Sequence, residues 1–150
     1  MSREHDKGMS LIVKTITRLT VGLILLYGVY IVMHGHLSPG GGFAGGVIIA
    51  LSFINIMLAY GKEDAFKKLS RAAASMWESI GAIMFLGIAL LGFTGGYFFL
   101  NFLNKGEPFK LFSAGIIPLC NIAISFKVGA GVFAIFVALI LLKIDVEKKE

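Results

Sequence analysis

The chain has 150 residues, 57% of them hydrophobic and only 15% charged, with a formal net charge of +5. A soluble domain carries about 25% charged residues, and the apolar residues here fall in long runs rather than alternating, which excludes a soluble globular domain and a β-barrel and leaves an all-α integral membrane protein. The single cysteine, Cys120, excludes an internal disulfide and matches no thiolate metal spacing.

Four runs are long enough to cross a bilayer, which takes about 20 mostly apolar residues. They cover residues 12–33, 43–60, 77–99 and 119–142, and they form one transmembrane domain over residues 1–150. The first run is long and lacks a small-residue cleavage site after it, so it reads as a retained anchor, not a signal peptide. Between the first two runs lies His34-Gly-His-Leu-Ser-Pro-Gly-Gly-Gly-Phe-Ala-Gly-Gly46, with no Lys or Arg. A plain linker needs only polarity and flexibility. Pro39 initiates a turn, and Gly35, Gly40, Gly41, Gly42, Gly45 and Gly46 around Phe43 allow positive φ and close backbone approach. Residues 61–76 then read as a short basic amphipathic surface helix, with Phe66, Leu69, Ala73 and Met76 at helical spacing. The stretch 113–142 is longer than one span needs, so its first part, 113–127, is either the start of the fourth span or a re-entrant piece.

Orientation follows from the cations. Arg3, Lys7, Lys14 and Arg18, then Lys62, Lys67, Lys68 and Arg71, then Lys143, Lys148 and Lys149 all fall on one side of the four spans. Only Lys105 and Lys110 fall on the other. Both termini are therefore expected in the cytoplasm and the glycine loop outside. Cations that flank spans in this way explain the net charge and give no reason to invoke nucleic acid.

Small residues recur every fourth position: Gly42 and Gly46, Gly92 and Gly96, and Ala130, Ala134 and Ala138. Such spacing lets helix backbones approach in lipid, where apolar side chains alone give no preference. Small faces on three of four helices exceed what internal packing needs and suggest a subunit of a larger membrane assembly. No internal repeat, nucleotide loop or catalytic constellation is visible, and no cofactor is expected.

Ionisable groups within spans cost about 2.5–3.5 kcal/mol at the helix centre and usually meet a partner or a wet cavity. Lys127 reads either as a buried lysine trading protons with a carboxylate or as a snorkelling residue at the edge of the fourth span. Glu78 reads either as the last member of a capping box with Ser75 at the start of the third span, beside the interfacial Trp77, or as a proton-path residue. His34 and His36 suit a polar helix end or a proton relay; no further ligand stands near them in sequence to make a metal site. Asn55 and Asn121 read as hydrogen-bonding residues between helices, and Tyr27 and Tyr30 as interfacial anchors.

The glycine loop, Gly35-His-x-x-Pro-Gly-Gly-Gly-Phe-x-Gly-Gly46, and the later segment Pro118-Leu-Cys-Asn-Ile-Ala-Ile-Ser-Phe-Lys-Val-Gly-Ala-Gly131 resemble the MrpB (MnhB) family, the small membrane subunits of Mrp-type multi-subunit sodium/proton antiporters. The resemblance covers most of the chain. It implies an accessory, non-catalytic subunit in a prokaryotic plasma membrane that helps form the path of Na+ and H+ beside other subunits of the module. In freestanding antiporters the position of Lys127 looks acidic. The lysine form is more similar to the homologues in archaeal membrane-bound hydrogenase or sulfur-reductase complexes, where an Mrp-like module joins a redox arm. A freestanding antiporter subunit and a purely structural assembly subunit remain the alternatives. A self-sufficient four-helix drug exporter fits less well, because such exporters need an acidic residue in the first span and this one has none.

Overall fold

The computed structural model describes residues 9–61, 71–111 and 113–147. The expected surface helix falls largely on residues 62–70, and most of the cations that set the expected orientation also lie outside the described residues. Among the described residues, four helices are long and apolar enough to cross a membrane: α1 (Leu11–Met33), α2 (Gly41–Tyr60), α3 (Arg71–Leu91) and α4 (Ile117–Glu147).

Each boundary has a local cause. Helix α1 ends where the His34 amide donates to the Tyr30 carbonyl and the chain turns through Ser38, whose amide and hydroxyl both donate to the His34 carbonyl. Helix α2 starts two residues earlier than its apolar run, at Gly41, after Gly40 takes φ 107°. Most of the loop's later glycines are therefore the first turns of a helix. The helix closes on Gly61, whose amide donates to Met57 O from φ 92°, a glycine C-cap.

Helix α3 differs from the expected 77–99 at both ends. It includes the Ala72-Ala73-Ala74 run of strong helix formers, so Ser75 to Glu78 are interior residues and not a capping box at a helix start. It ends at Leu91 and passes through a 3-10 turn, Gly92–Gly95. Gly96 at φ 102° then reverses the chain, so that the Phe99 amide donates to the Ala89 carbonyl at 3.1 Å. A Cβ on Gly92 would meet the returning backbone at Phe99 and Leu100; the Gly92/Gly96 pair makes this turn and does not pack two helices. Helix α4 carries Pro118 in its first turn, where a missing amide is tolerated, and runs unbroken past Lys127, so residues 117–127 are the start of the fourth span and not a re-entrant piece.

The helices stand in a row, α1–α2–α4–α3, with each neighbouring pair in extensive contact. Consecutive helices run in opposite directions. At one end the Tyr60 hydroxyl donates to Lys14 O at 2.9 Å and the Met9 amide to Ala59 O at 2.9 Å. At the other end the glycine loop meets the segment before α4. Glycines set each interhelix distance. A Cβ on Gly28 would fall 3.3 Å from Gly45 O, one on Gly46 2.9 Å from Ser125 O, and one on Gly129 3.2 Å from Gly46 O. The core, Ile54, Met57, Ala74, Phe133 and Val137, fills the seam beneath these contacts. Ala130 is buried in it, but Ala134 and Ala138 face outward, so the alanine stripe of α4 splits between the inside and the outside of the bundle.

Candidate ion-pair site in the spanning bundle

Lys127 and Glu78 come together. The Lys127 Nζ lies 3.5 Å from Glu78 Oε1, an ion pair at the outer limit of hydrogen-bond length. No pattern in the sequence links these two residues, which stand 49 positions apart. The link is made by Gly81, one turn along α3 from Glu78: a Cβ there would sit 2.7 Å from the Lys127 amide nitrogen and 2.7 Å from Ala123 O. Only a glycine brings the α3 backbone close enough to place the carboxylate against the ammonium.

At 1.5 Å per residue, Lys127 stands about 15 Å along α4 from Ile117 and about 22 Å from Leu142, and Glu78 stands about 9 Å along α3 from Ala72, the ends of the apolar segments. The pair is also not enclosed by this chain, because the Lys127 and Glu78 side chains are 55% and 43% exposed.

The two histidines diverge. His34 turns its Nδ1 to the Tyr30 carbonyl at 3.0 Å and stacks on the Tyr30 ring at 4.1 Å. His36 reaches across to the Lys110 carbonyl with Nε2, also at 3.0 Å, and its buried Nδ1 has no partner among the described residues. The first histidine finishes its own helix; the second ties the glycine loop to the loop before α4. Among the described residues no three His, Cys, Asp or Glu side chains are placed to hold a metal ion.

Asn121 is the anchor of the glycine loop. It is 8% exposed, its Oδ1 accepts the Gly42 amide at 3.2 Å, and its Nδ2 is buried without a partner among the described residues. Gly35, Gly41 and Gly42 all pack against it, and a Cβ on Gly42 would collide with the Asn121 backbone. The carboxamide thus caps a free amide in the first turn of α2 from a neighbouring helix. Pro39 and Phe43 of the same loop are exposed. Asn55, expected to bridge helices, is only half buried and makes no hydrogen bond among the described residues.

An apolar groove lies close to the ion pair. Leu25 and Val29 of α1, Ile49 and Phe53 of α2, Trp77 of α3 and Phe126 of α4 line this groove of about 390 Å³, with Trp77 and Phe126 packed at 5.2 Å. Sequence reading missed Gly28 and Gly81 as packing residues; their only signal was a glycine inside an otherwise apolar spanning run.

Comparison with known proteins agrees with this architecture. Residues 12–134 match the model of a domain related to the MnhB subunit of Na+/H+ antiporters. A protein of Methanocaldococcus jannaschii is 35% identical over 133 residues, covering 84% of this chain and 50% of that protein. A Na+/H+ antiporter subunit of Bacillus subtilis is 34% identical over 112 residues, 69% of this chain and 78% of its own length. A chain of the membrane-bound sulfane sulfur reductase, an archaeal respiratory membrane complex, superimposes with a TM-score of 0.74 at 29% identity, over 89% of this chain and 61% of that one. This chain therefore spans only half to three-fifths of the length of the archaeal relatives it matches. It belongs to the family of domains related to the MnhB subunit of Na+/H+ antiporters.

Proposed function

We propose that the chain is an accessory, non-catalytic membrane subunit of an Mrp-type sodium/proton antiport module, and that the Glu78–Lys127 pair stands on its ion path. The observation that carries this reading is an ion pair within the apolar segments of two spanning helices, held by a dedicated glycine contact and left open on one side. A closed structural pair would be enclosed by its own bundle; an open one is available to water, protons or a neighbouring subunit. The likeness to a chain of an archaeal sulfane sulfur reductase complex and the lysine at position 127 favour a module joined to a redox arm, in the plasma membrane of a prokaryote. His34 and His36 make loop contacts and have a secondary place in this reading.

The test is sodium-dependent proton movement in vesicles made from membranes that contain the complete complex. Lys127→Ala and Glu78→Gln are each expected to lower it at least about tenfold with the complex intact. Transport retained by both variants would leave a scaffold role.

A further inference from the structure

The segment that joins α3 to α4 turns back at the end of α3 instead of leading away from it. Gly96 reverses the chain, and the Phe99 amide donates to the Ala89 carbonyl at 3.1 Å. Ala89 lies inside the apolar stretch Ala72–Gly95, so Tyr97, Phe98 and Phe99 run back along the last turns of the span. Helix α3 is an end member of the row, and the rings of this return point away from the bundle. Phe93, Tyr97 and Phe98 are each more than half exposed, Tyr97 at 74%. Phe98 meets Phe99 edge-on at 5.5 Å and Phe93 at 5.7 Å, so the rings form one continuous patch.

Charge is layered in the same direction. Residues 92–104 carry none, and Lys105, Glu107 and Lys110 follow at the far end of the loop. Glu107 pairs with Lys110, so the net charge of the loop is that of the exposed Lys105. Beside them Phe109 holds φ 66° and is 89% exposed. A left-handed backbone is strained for an aromatic residue, and turning a ring into water gains no stability. The backbone around it is tied down: the Lys105 carbonyl accepts the Ala114 amide at 2.9 Å, and the Lys110 carbonyl accepts the Ser113 hydroxyl and the His36 ring. His36 stands three residues past the end of α1, which puts Phe109 level with the span ends.

An aromatic layer along the end of a span, followed by a cation, reproduces the order of a bilayer from hydrocarbon to phosphate. We infer that the α3–α4 loop is a lipid-inserted anchor: Phe93, Tyr97, Phe98 and Phe109 stand in the leaflet at the glycine-loop end of the protein, and Lys105 meets phospholipid phosphate there. Helices of other proteins pack closely on small residues in lipid. Protruding rings hold such a helix off, whereas fluid acyl chains fill the space around them. The anchor fixes the depth of the end of α3 and depends on no step of ion transport.

The test uses the complete complex in native membranes. With Phe98 or Phe109 replaced by a photoreactive phenylalanine analogue, irradiation is expected to give phospholipid adducts of this chain as the main product at both positions. A main product with another subunit or with a second copy of this chain, or no adduct at all, would overturn the inference. In a Cys120→Ser background, Thr94→Cys marks the 3-10 turn, and labelling by a membrane-impermeant maleimide is read on this chain alone. Phe98→Ser with Phe109→Ser is expected to speed that labelling about tenfold, equivalent to about 1.4 kcal/mol of lost insertion. Phe109→Ser alone, which removes a ring that is 89% exposed, should give a smaller rise in the same direction with the fold intact. A labelling rate that neither variant changes would overturn the anchor even where lipid adducts form.

Discussion

Gly81 of α3 lies against the backbone of Lys127 of α4, so close that a Cβ would fall 2.7 Å from the lysine amide nitrogen. The same approach holds the Glu78 carboxylate 3.5 Å from the Lys127 ammonium. The helix spacing and the ion pair are one feature: widening the seam separates the charges. Gly81→Val is therefore expected to destabilise the bundle by about 1–3 kcal/mol, the cost of overpacking a tight contact. Thermal unfolding of the detergent-solubilised protein measures it. Val at Gly87, where an added Cβ meets nothing within 4 Å, is the control and should change little.

Removal of Asn121 tests the anchor of the glycine loop. Asn121→Ala leaves the Gly42 amide without its acceptor in a buried setting, and is expected to cost about 1–3 kcal/mol. Hydrogen exchange should rise at the first turn of α2 and stay unchanged near Tyr60. Gly42→Ala should be at least as damaging, because its Cβ has no room beside the Asn121 backbone. Equal exchange in wild type and variants would show that the loop is held by something else.

The loop before α4 depends on one side chain. Asn101 Oδ1 accepts the amides of Leu103 at 3.3 Å and Ile116 at 3.2 Å. Asn101→Ala should speed exchange of those two amides by about tenfold, the equivalent of one hydrogen bond of about 1.4 kcal/mol. The effect should reach His36, whose ring binds the Lys110 carbonyl in the same loop, but should not reach the opposite end of the bundle.

Orientation makes a separate prediction. With Cys120 replaced by Ser, Leu37→Cys places a thiol on the exposed rim of the glycine loop, where Leu37 is 41% exposed. The positive-inside count puts this loop outside. A membrane-impermeant maleimide should label it in intact cells, and labelling only after lysis would reverse the assigned topology.

Much of this protein was legible before any tertiary contact was known. Hydrocarbon leaves no alternative to helix for an uninterrupted apolar run, so the four spans could be read directly, and so could the family, because its glycine signature is local and contiguous. Helix ends were less legible. The 3-10 turn at Gly92 and the return of Phe99 to Ala89 use residues as apolar as the span itself, so hydropathy places no boundary there. Ser75 and Glu78 matched a capping box that the preceding alanines carry past.

The tertiary structure decided the pairing. Lys127 and Glu78 were each ambiguous alone, because one lysine or one glutamate near a span end fits an interface as well as a path. Their pairing depends on the α3–α4 register, which is fixed by the backbone contact at Gly81, and no one-dimensional pattern records which glycine faces which helix. The outward turn of Ala134 and Ala138 and the unpaired Asn55 have the same origin. Composition states that a small or polar residue is present in a span, but only the packing of four helices determines whether it faces its own bundle or is left for another.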